Sequence, residues 1–215
     1  MGKLIVTEFM TLDGVAQAPG GPDEDRDGGF VYGGWQAPLL DQESGNVVFE
    51  QARTMDALLL GRKTYEIFAG YWPRAPEEIP FTGLLNGVPK YVASRTLAGP
   101  LTWQGSTLVA GDLAESITTL KERHDEVHVI GSLDLVQSLL RFGLVDRLNL
   151  WLYPLLLGAG KQVFAGGTVP TALRLTGSVT YPNGTLQLTY EMAGEPTYGN
   201  LAIETGDLQR FGGAD

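Results

Sequence analysis

Three short clusters carry side chains suited to holding phosphate: Gly61-Arg62-Lys63-Thr64, Ser94-Arg95-Thr96 and Gly131-Ser132. The first and third stand where a strand should give way to a helix. Residues 57–60 (ALLL) are an apolar run ended by Gly61, and Tyr65, Phe68 and Ala69 then recur at the spacing of one helix face. Residues 126–130 (EVHVI) run in the same way into Gly131-Ser132, with Leu135, Val136, Leu139 and Leu140 following and Gly143 closing the helix. Ser132 is expected to cap that helix. A fresh helix start offers unpaired N–H groups and a positive dipole end, and glycine lets a ligand approach the backbone. Together the clusters suit a dinucleotide, with pyrophosphate on the helix starts and a further phosphate on Arg95. The competing reading is two ordinary capping glycines with basic residues tolerated on solvated helix starts.

Other chemistries find less support. The chain has 215 residues and no cysteine, so thiolate nucleophiles, thiolate metal sites and disulfides are excluded. His124 and His128 lack an i, i+4 metal pairing with a helix glutamate, and no metal site is expected. Neither a G-x-S-x-G elbow nor a G-x-G-x-x-G fingerprint is present, and Gly158-Ala159-Gly160-Lys161 is too short for a P-loop. A net charge of −10 argues against nucleic acid and anionic membrane as partners. No apolar run approaches the roughly 20 residues that span a bilayer. The N-terminus reads as a first strand rather than a signal peptide, so a cytoplasmic protein is expected.

The elements that must position these clusters follow in order. Residues 3–10 form the first strand, ended by Thr11-Leu12-Asp13-Gly14. Residues 19–34 (PGGPDEDRDGGFVYGG) are a glycine- and acid-rich loop. It reads either as a mobile surface loop or as a lid with glycine hinges, in which Phe30, Tyr32 and Trp35 close over a planar substrate. A helix is expected over residues 38–55, with Ser44 capping a second start. Residues 73–87 read as a proline-punctuated connection. Short strands follow at 90–93 and 107–110, and Asp112 with Glu115 opens a helix as a capping-box-like pair. From Asp146 the period changes from helix to strand, and Pro182-Asn183-Gly184 joins two strands as a hairpin. Alternating strands and helices followed by an antiparallel ending define an α/β fold, a mainly parallel sheet with helices on both faces. In such sheets ligands bind outside the carboxyl ends of the strands.

The order and spacing of six segments resemble the dihydrofolate reductase-like superfamily. The segments are TLDG (11–14), LLLGRKTYE (58–66), YWP (71–73), VASRTL (92–97), VIGSLDLVQSLL (129–140) and GLVDRLNLWLYPLLLGAGKQVF (143–164). Within that superfamily the chain is most similar to the C-terminal reductase domain of riboflavin-biosynthesis deaminase-reductases. The resemblance covers residues 3 to 193, taken as one reductase-like domain 1–193 with a tail 194–215 of no assigned role. It implies a three-layer fold and NADPH as cofactor. Gly61, Arg62, Lys63 and Thr64 would take the pyrophosphate and ribose phosphate, and Ser94, Arg95 and Thr96 the adenosine 2′-phosphate. Ile130, Gly131, Ser132 and Leu133 would cover the pyrophosphate and nicotinamide ribose. The exit of the first strand, from Phe9 to Ala16 and including Asp13 as the catalytic candidate, would line the nicotinamide and substrate.

The chain departs from the resemblance in places. Folate reductases carry an acid on the first helix, and the aligned position here falls near Gly45. A deaminase segment ahead of the reductase-like part is not expected, and Asp146-Arg147 stands where the family has Asp-Glu. The expected function is reduction of a small heterocycle, pyrimidine- or pterin-like, by NADPH. The alternatives are an NADP-binding regulator without turnover and a structural homodimer. A homodimer is expected, partly from the resemblance and partly because the run 152–164, with its Pro154-Leu155-Leu156-Leu157, is hard to bury within one subunit; the alternative is that this run packs under the last helix.

Overall fold

The structure is a computed structural model that describes residues 1–97, 100–109 and 111–200. The last residue of the strand expected at 107–110, and residues 201–215 of the tail, lie outside the described residues. The chain builds β1 (Lys3–Thr11), α1 (Gln42–Ala52), β2 (Ala57–Gly61), α2 (Arg62–Tyr71), α3 (Pro80–Gly87), β3 (Lys90–Ala93) and β4 (Ser106–Val109). It continues with α4 (Leu113–Arg123), β5 (Glu126–Ile130), α5 (Leu133–Arg141), β6 (Arg147–Tyr153), β7 (Leu173–Thr180) and β8 (Leu186–Met192).

The strands form one eight-stranded sheet in the order β4-β3-β2-β5-β1-β6-β8-β7. Pairing is parallel from β4 through β6, and β8 then runs antiparallel to both β6 and β7. Residues Ala57 to Leu60 are fully buried because alternate side chains enter opposite layers. Ala57 and Leu59 join Val6, Val127 and Val129 beneath α4 and α5, whereas Leu58 and Leu60 join Tyr65, Leu85 and Val92 on the α1–α3 side. Each buried leucine contributes roughly 1.5–3 kcal/mol relative to an exposed one. A third cluster, Val15, Phe30, Trp35, Trp151, Tyr153 and Tyr181, closes the β1–β6 end.

The chain direction reverses around β1. From β1 it runs outward to β2, β3 and β4, then returns to insert β5 between β2 and β1. That reversal opens a crevice at the carboxyl ends of the central strands.

Some local expectations are corrected. Residues 80–87 form α3, with Pro80 at its first turn, so the proline that marked a connection starts a helix. Asp41, not Ser44, caps α1: its carboxylate accepts from the Ser44 N–H at 2.7 Å, and Ser44 completes the reciprocal box. Asp112 caps α4 as expected, accepting from the Glu115 N–H at 3.0 Å. Among the described residues no helix is long and apolar enough to cross a membrane.

Candidate active site

One cleft of about 1380 Å³ runs along the carboxyl edge of the sheet. A pocket for one small ligand is typically about 300–1,000 Å³, so this cleft has room for a dinucleotide and a second molecule. Every residue of the expected dinucleotide set lines it: Gly61, Arg62, Lys63, Thr64, Ser94, Arg95, Thr96, Ile130, Gly131, Ser132, Leu133 and Ala16. The strand order places them in a row. Ser94 to Thr96 follow β3, Gly61 ends β2, Ile130 ends β5, and Thr7 to Phe9 belong to β1.

The two glycine junctions are hydrogen-bonded to each other. The Ser132 N–H donates to Thr64 Oγ1 at 3.0 Å, and Ser132 Oγ accepts from the Gly61 N–H at 2.9 Å. Ser132 therefore does not cap α5 with its side chain. It lies in the left-handed region at φ 64°, directly after Gly131 at φ 64°. Two successive left-handed residues are strained for a non-glycine chain, and such strain collects at binding sites. Gly61 has an ordinary φ of −74°, and an added Cβ would meet Ser132 and Leu135 at 3.5 and 3.7 Å, ordinary contact distances. Glycine is thus required by the backbone at Gly131 and not at Gly61. No side chain caps α2, so its first N–H groups are left for a ligand or water.

The cations divide into paired and unpaired. Arg62 bonds Glu66 at 3.1 Å, and Lys63 reaches Asp27 at 3.1 Å. Lys161, also in the cleft, holds Asp25 at 2.6 Å and Asp27 at 2.9 Å. Among the described cleft residues, Arg95 and Arg141 are the cations without a carboxylate partner. Ser94 Oγ accepts from the Thr96 and Leu97 N–H groups at 3.2 and 2.9 Å, a tight turn that presents Arg95 at the cleft rim.

The residues fit a dinucleotide phosphate chain: an uncapped helix start, a left-handed Gly-Ser turn and an unpaired arginine lie along one edge. His124 and His128 do not line the cleft. Among the described residues no group of three or more acidic or histidine side chains is arranged for a metal.

The substrate expectations fare differently. Phe9 lines the cleft and stacks on buried Trp151 at 6.3 Å. Phe30 and Trp35 do not line it, because they pack into the third core cluster, where the Trp35 indole N–H donates to the Gln17 carbonyl at 2.9 Å. Tyr32 packs edge-on against Phe30 and points to solvent, half exposed. The loop 19–34 is tied to its surroundings: Gln17 Nε2 donates to the Asp25 and Asp27 carbonyls, and Lys161 holds both carboxylates. Asp13 is likewise displaced from the cleft. Its carboxylate accepts from the Thr11 hydroxyl and from the Leu157 and Gly158 N–H groups, with Thr11 and then Gly158 holding it below the ordinary carboxylate range. It staples the 155–158 turn to β1.

Further rings face the cleft from α1, α2, the residue that follows α2, and α3. Phe49, Phe68, Trp72 and Phe81 line it, linked by edge contacts of 5.5 Å (Phe49–Phe81) and 6.2 Å (Phe68–Trp72). They form an apolar wall suited to a planar ring. Gly45 and Asn46 of α1 face the same space, whereas Asp41, Glu43 and Glu50 do not. Sequence reasoning missed this wall because the helix α3 that carries Phe81 was hidden behind prolines. It also missed Glu8. This acid of β1 lines the cleft, is 2% exposed, and has an enclosed Oε1 with no partner among the described residues.

The fold and this cleft define a reductase-domain architecture of the dihydrofolate reductase-like kind. Residues 2–187 match the RibD C-terminal domain family, and the chain belongs to that family. It is 24% identical over 196 residues to the uncharacterized protein YyaP of Bacillus subtilis, covering 89% of this chain and 96% of that one. A putative riboflavin biosynthesis protein from Shewanella superposes with a TM-score of 0.63 at 21% identity, covering 88% of this chain and 98% of that one. A pyrimidine reductase-like protein from Corynebacterium diphtheriae gives 0.63 at 16% identity, covering 90% and 93%.

Proposed function

We propose that this chain is an NADPH-dependent reductase of a small heterocycle, pyrimidine- or pterin-like. The observation that carries the reading is the convergence of all the expected dinucleotide residues on one cleft, with Arg95 unpaired at its β3 end. In this reading the N–H groups of α2 and the Gly131-Ser132 turn bind pyrophosphate, and Arg95 binds the 2′-phosphate. When bound, the dinucleotide supplies the hydride. The protein's own part is to orient the acceptor ring against Phe9 and the wall of Phe49, Phe68, Trp72 and Phe81, and to exclude water from that space. Membership of the RibD C-terminal domain family supports the reading, as does the likeness to a pyrimidine reductase-like protein.

NADPH titrated against the protein's tryptophan fluorescence tests the first half, and loss of NADPH absorbance with a panel of pyrimidines and pterins tests the second. Saturation with turnover of one panel member is expected. Saturation without turnover of any would favour a dinucleotide-binding regulator, and no binding would overturn the reading. The reading includes a homodimer. Leu155 and Leu157 pack within the subunit, but Leu156 stays 73% exposed, and Leu173, Leu175 and Val179 stand exposed on the edge strand β7. A monomer mass by light scattering at micromolar concentration would overturn that part.

A further inference from the structure

Glu8 is the residue of the cleft that the proposed function leaves unused. It sits inside the apolar strand β1, paired in register with Leu150 of β6. Thr7 pairs with Ile130, the last residue of β5, so Glu8 stands one step further on, level with the Gly131 turn. Among the described residues no group hydrogen-bonds or ion-pairs with its carboxyl; Oε1 is fully enclosed, and the residue's slight remaining exposure adjoins the cleft. A buried ionised carboxylate without a partner is costly, so such a group keeps its proton.

The position is as telling as the burial. A dinucleotide with its 2′-phosphate at Arg95 after β3 and its pyrophosphate at Gly61 and Gly131 runs along the strand order β3-β2-β5. The next strand is β1, so the far end of the molecule, the nicotinamide, meets the residues that end β1. Adjacent strands lie about 4.8 Å apart, which puts one residue of β1 within a side-chain length of the Gly131 turn.

We propose that Glu8 is the proton store of this cleft, protonated while a reduced, uncharged nicotinamide lies at the β1 end and ionised when that ring is the oxidised cation. The proposal rests on the dinucleotide reading above. Glu8 alternates along β1 with Phe9 and faces the layer of Leu148 and Leu150, so it answers the charge of the dinucleotide and is not the proton donor to a ring held against Phe9. As the nicotinamide becomes the cation, the O–H proton of Glu8 passes to solvent in the cleft, and the carboxylate balances that charge until the oxidised dinucleotide leaves and the acid takes a proton back.

Electrostatics supports this sequence. Burial alone pushes the Glu8 carboxyl up to about 8, so it is mostly protonated at neutral pH. A cation close by lowers an acid's pKa by about 1–3, which carries Glu8 through neutrality. The other charged groups around the cleft are Asp134 and Arg141 on α5, Asp112 at the start of α4, Arg62 and Lys63 on α2, Arg95 after β3, and Glu24, Asp25 and Lys161 on the loops. None of them bonds Glu8, and none is a cause of its shift.

Calorimetric titration in two buffers of different ionisation enthalpy tests the proposal without any substrate. Near pH 7, NADP⁺ is expected to release a large fraction of one proton per site on binding and NADPH none. The two ligands share their phosphates, so the difference reports the ring charge. Between neutrality and about pH 8 the ratio of NADP⁺ to NADPH affinity should rise with pH, because NADP⁺ favours the ionised acid, and level off once Glu8 is ionised in the free protein. In Glu8→Gln both ligands should still bind, with the proton difference abolished. Infrared difference spectra of the unmutated protein give a second readout: the protonated carboxyl band should be present with NADPH and lost with NADP⁺. Binding of both ligands with equal proton release, or a difference that persists in Glu8→Gln, overturns the proposal and leaves the reductase reading intact. Failure of both ligands to bind overturns the reductase reading and the proposal with it.

Discussion

Ser132 and Thr64, 68 residues apart in sequence, share a hydrogen bond of 3.0 Å from the Ser132 N–H to Thr64 Oγ1. The bond ties the start of α5 to the start of α2, and the Gly61 N–H donating to Ser132 Oγ reinforces it. It also holds Ser132 in its left-handed conformation, which an isolated serine would leave. The two junctions therefore act as one unit, and a ligand phosphate placed against one is fixed relative to the other.

Thr64→Val is isosteric but removes the acceptor and leaves the Ser132 N–H unsatisfied in a site where Ser132 is buried. The expected cost is about 1–3 kcal/mol of stability, read as a lower denaturation midpoint, together with weaker NADPH binding. Thr64→Ser, which keeps the oxygen, should recover most of both. Equal midpoints for Thr64→Val and the unmutated protein would show that the bond does no such work.

Among the described residues Arg95 has no carboxylate partner, whereas Arg62 and Lys63 are engaged with Glu66 and Asp27. A charged hydrogen bond to a phosphate contributes roughly 1.5–3 kcal/mol, so NADPH should bind about ten-fold or more tightly than NADH. Arg95→Ala should remove most of that preference and leave NADH affinity nearly unchanged. Parallel fluorescence titrations of the two dinucleotides decide the matter, and equal affinities in the unmutated protein would refute it.

The glycine-ended strands β2 and β5 were legible because an apolar run, a glycine and a helical period are local signals. The role of each hydroxyl was not, since Ser132 and Thr64 meet only when β5 inserts beside β2. The same limit explains the loop 19–34. Its aromatic residues promised a lid, but the burial of Phe30 and Trp35 depends on Tyr153 and Val15, and Trp35 meets the Tyr153 ring edge-on at 5.4 Å. Glu8 was the hardest to see. A single glutamate in a strand ordinarily marks a solvated face, and the strands that flank it, β5 and β6, arrive more than 110 residues later.

Lys161 anchors the acidic loop from the far side of the sequence, and Asp27 is held down to about 2 by its hydrogen bonds to Lys161 first and Lys63 second. A carboxylate with a depressed pKa keeps its ion pairs above its unfolded value and loses them only as pH falls through about 2. The loop should thus stay anchored in mild acid. Lys161→Met should raise amide hydrogen exchange across residues 19–34 at neutral pH, leaving α4 and α5 unchanged. Unaltered exchange in that segment would mean that the Trp35 and Gln17 contacts suffice without the lysine.

Glu8 also sets a pH dependence of stability, whatever it does to ligands. Burial raises its folded pKa from the ordinary glutamate range to about 8. The folded state therefore binds more protons than the unfolded chain above the ordinary glutamate pKa, and stability falls as pH rises from about 4.5 through about 8, then levels off. At pH 7 the loss is on the order of 3 kcal/mol, at about 1.4 kcal/mol for each unit above the unfolded pKa. Glu8→Gln retains shape and cannot ionise, so it should unfold at a higher denaturant concentration than the unmutated protein at pH 8, with the gap closing by pH 5. Denaturation curves of both proteins across that range are the measurement. A gap that stayed constant with pH would mean that Glu8 is not the titrating group, and a gap that widened towards acid would reverse the sign required of a buried, unpartnered acid.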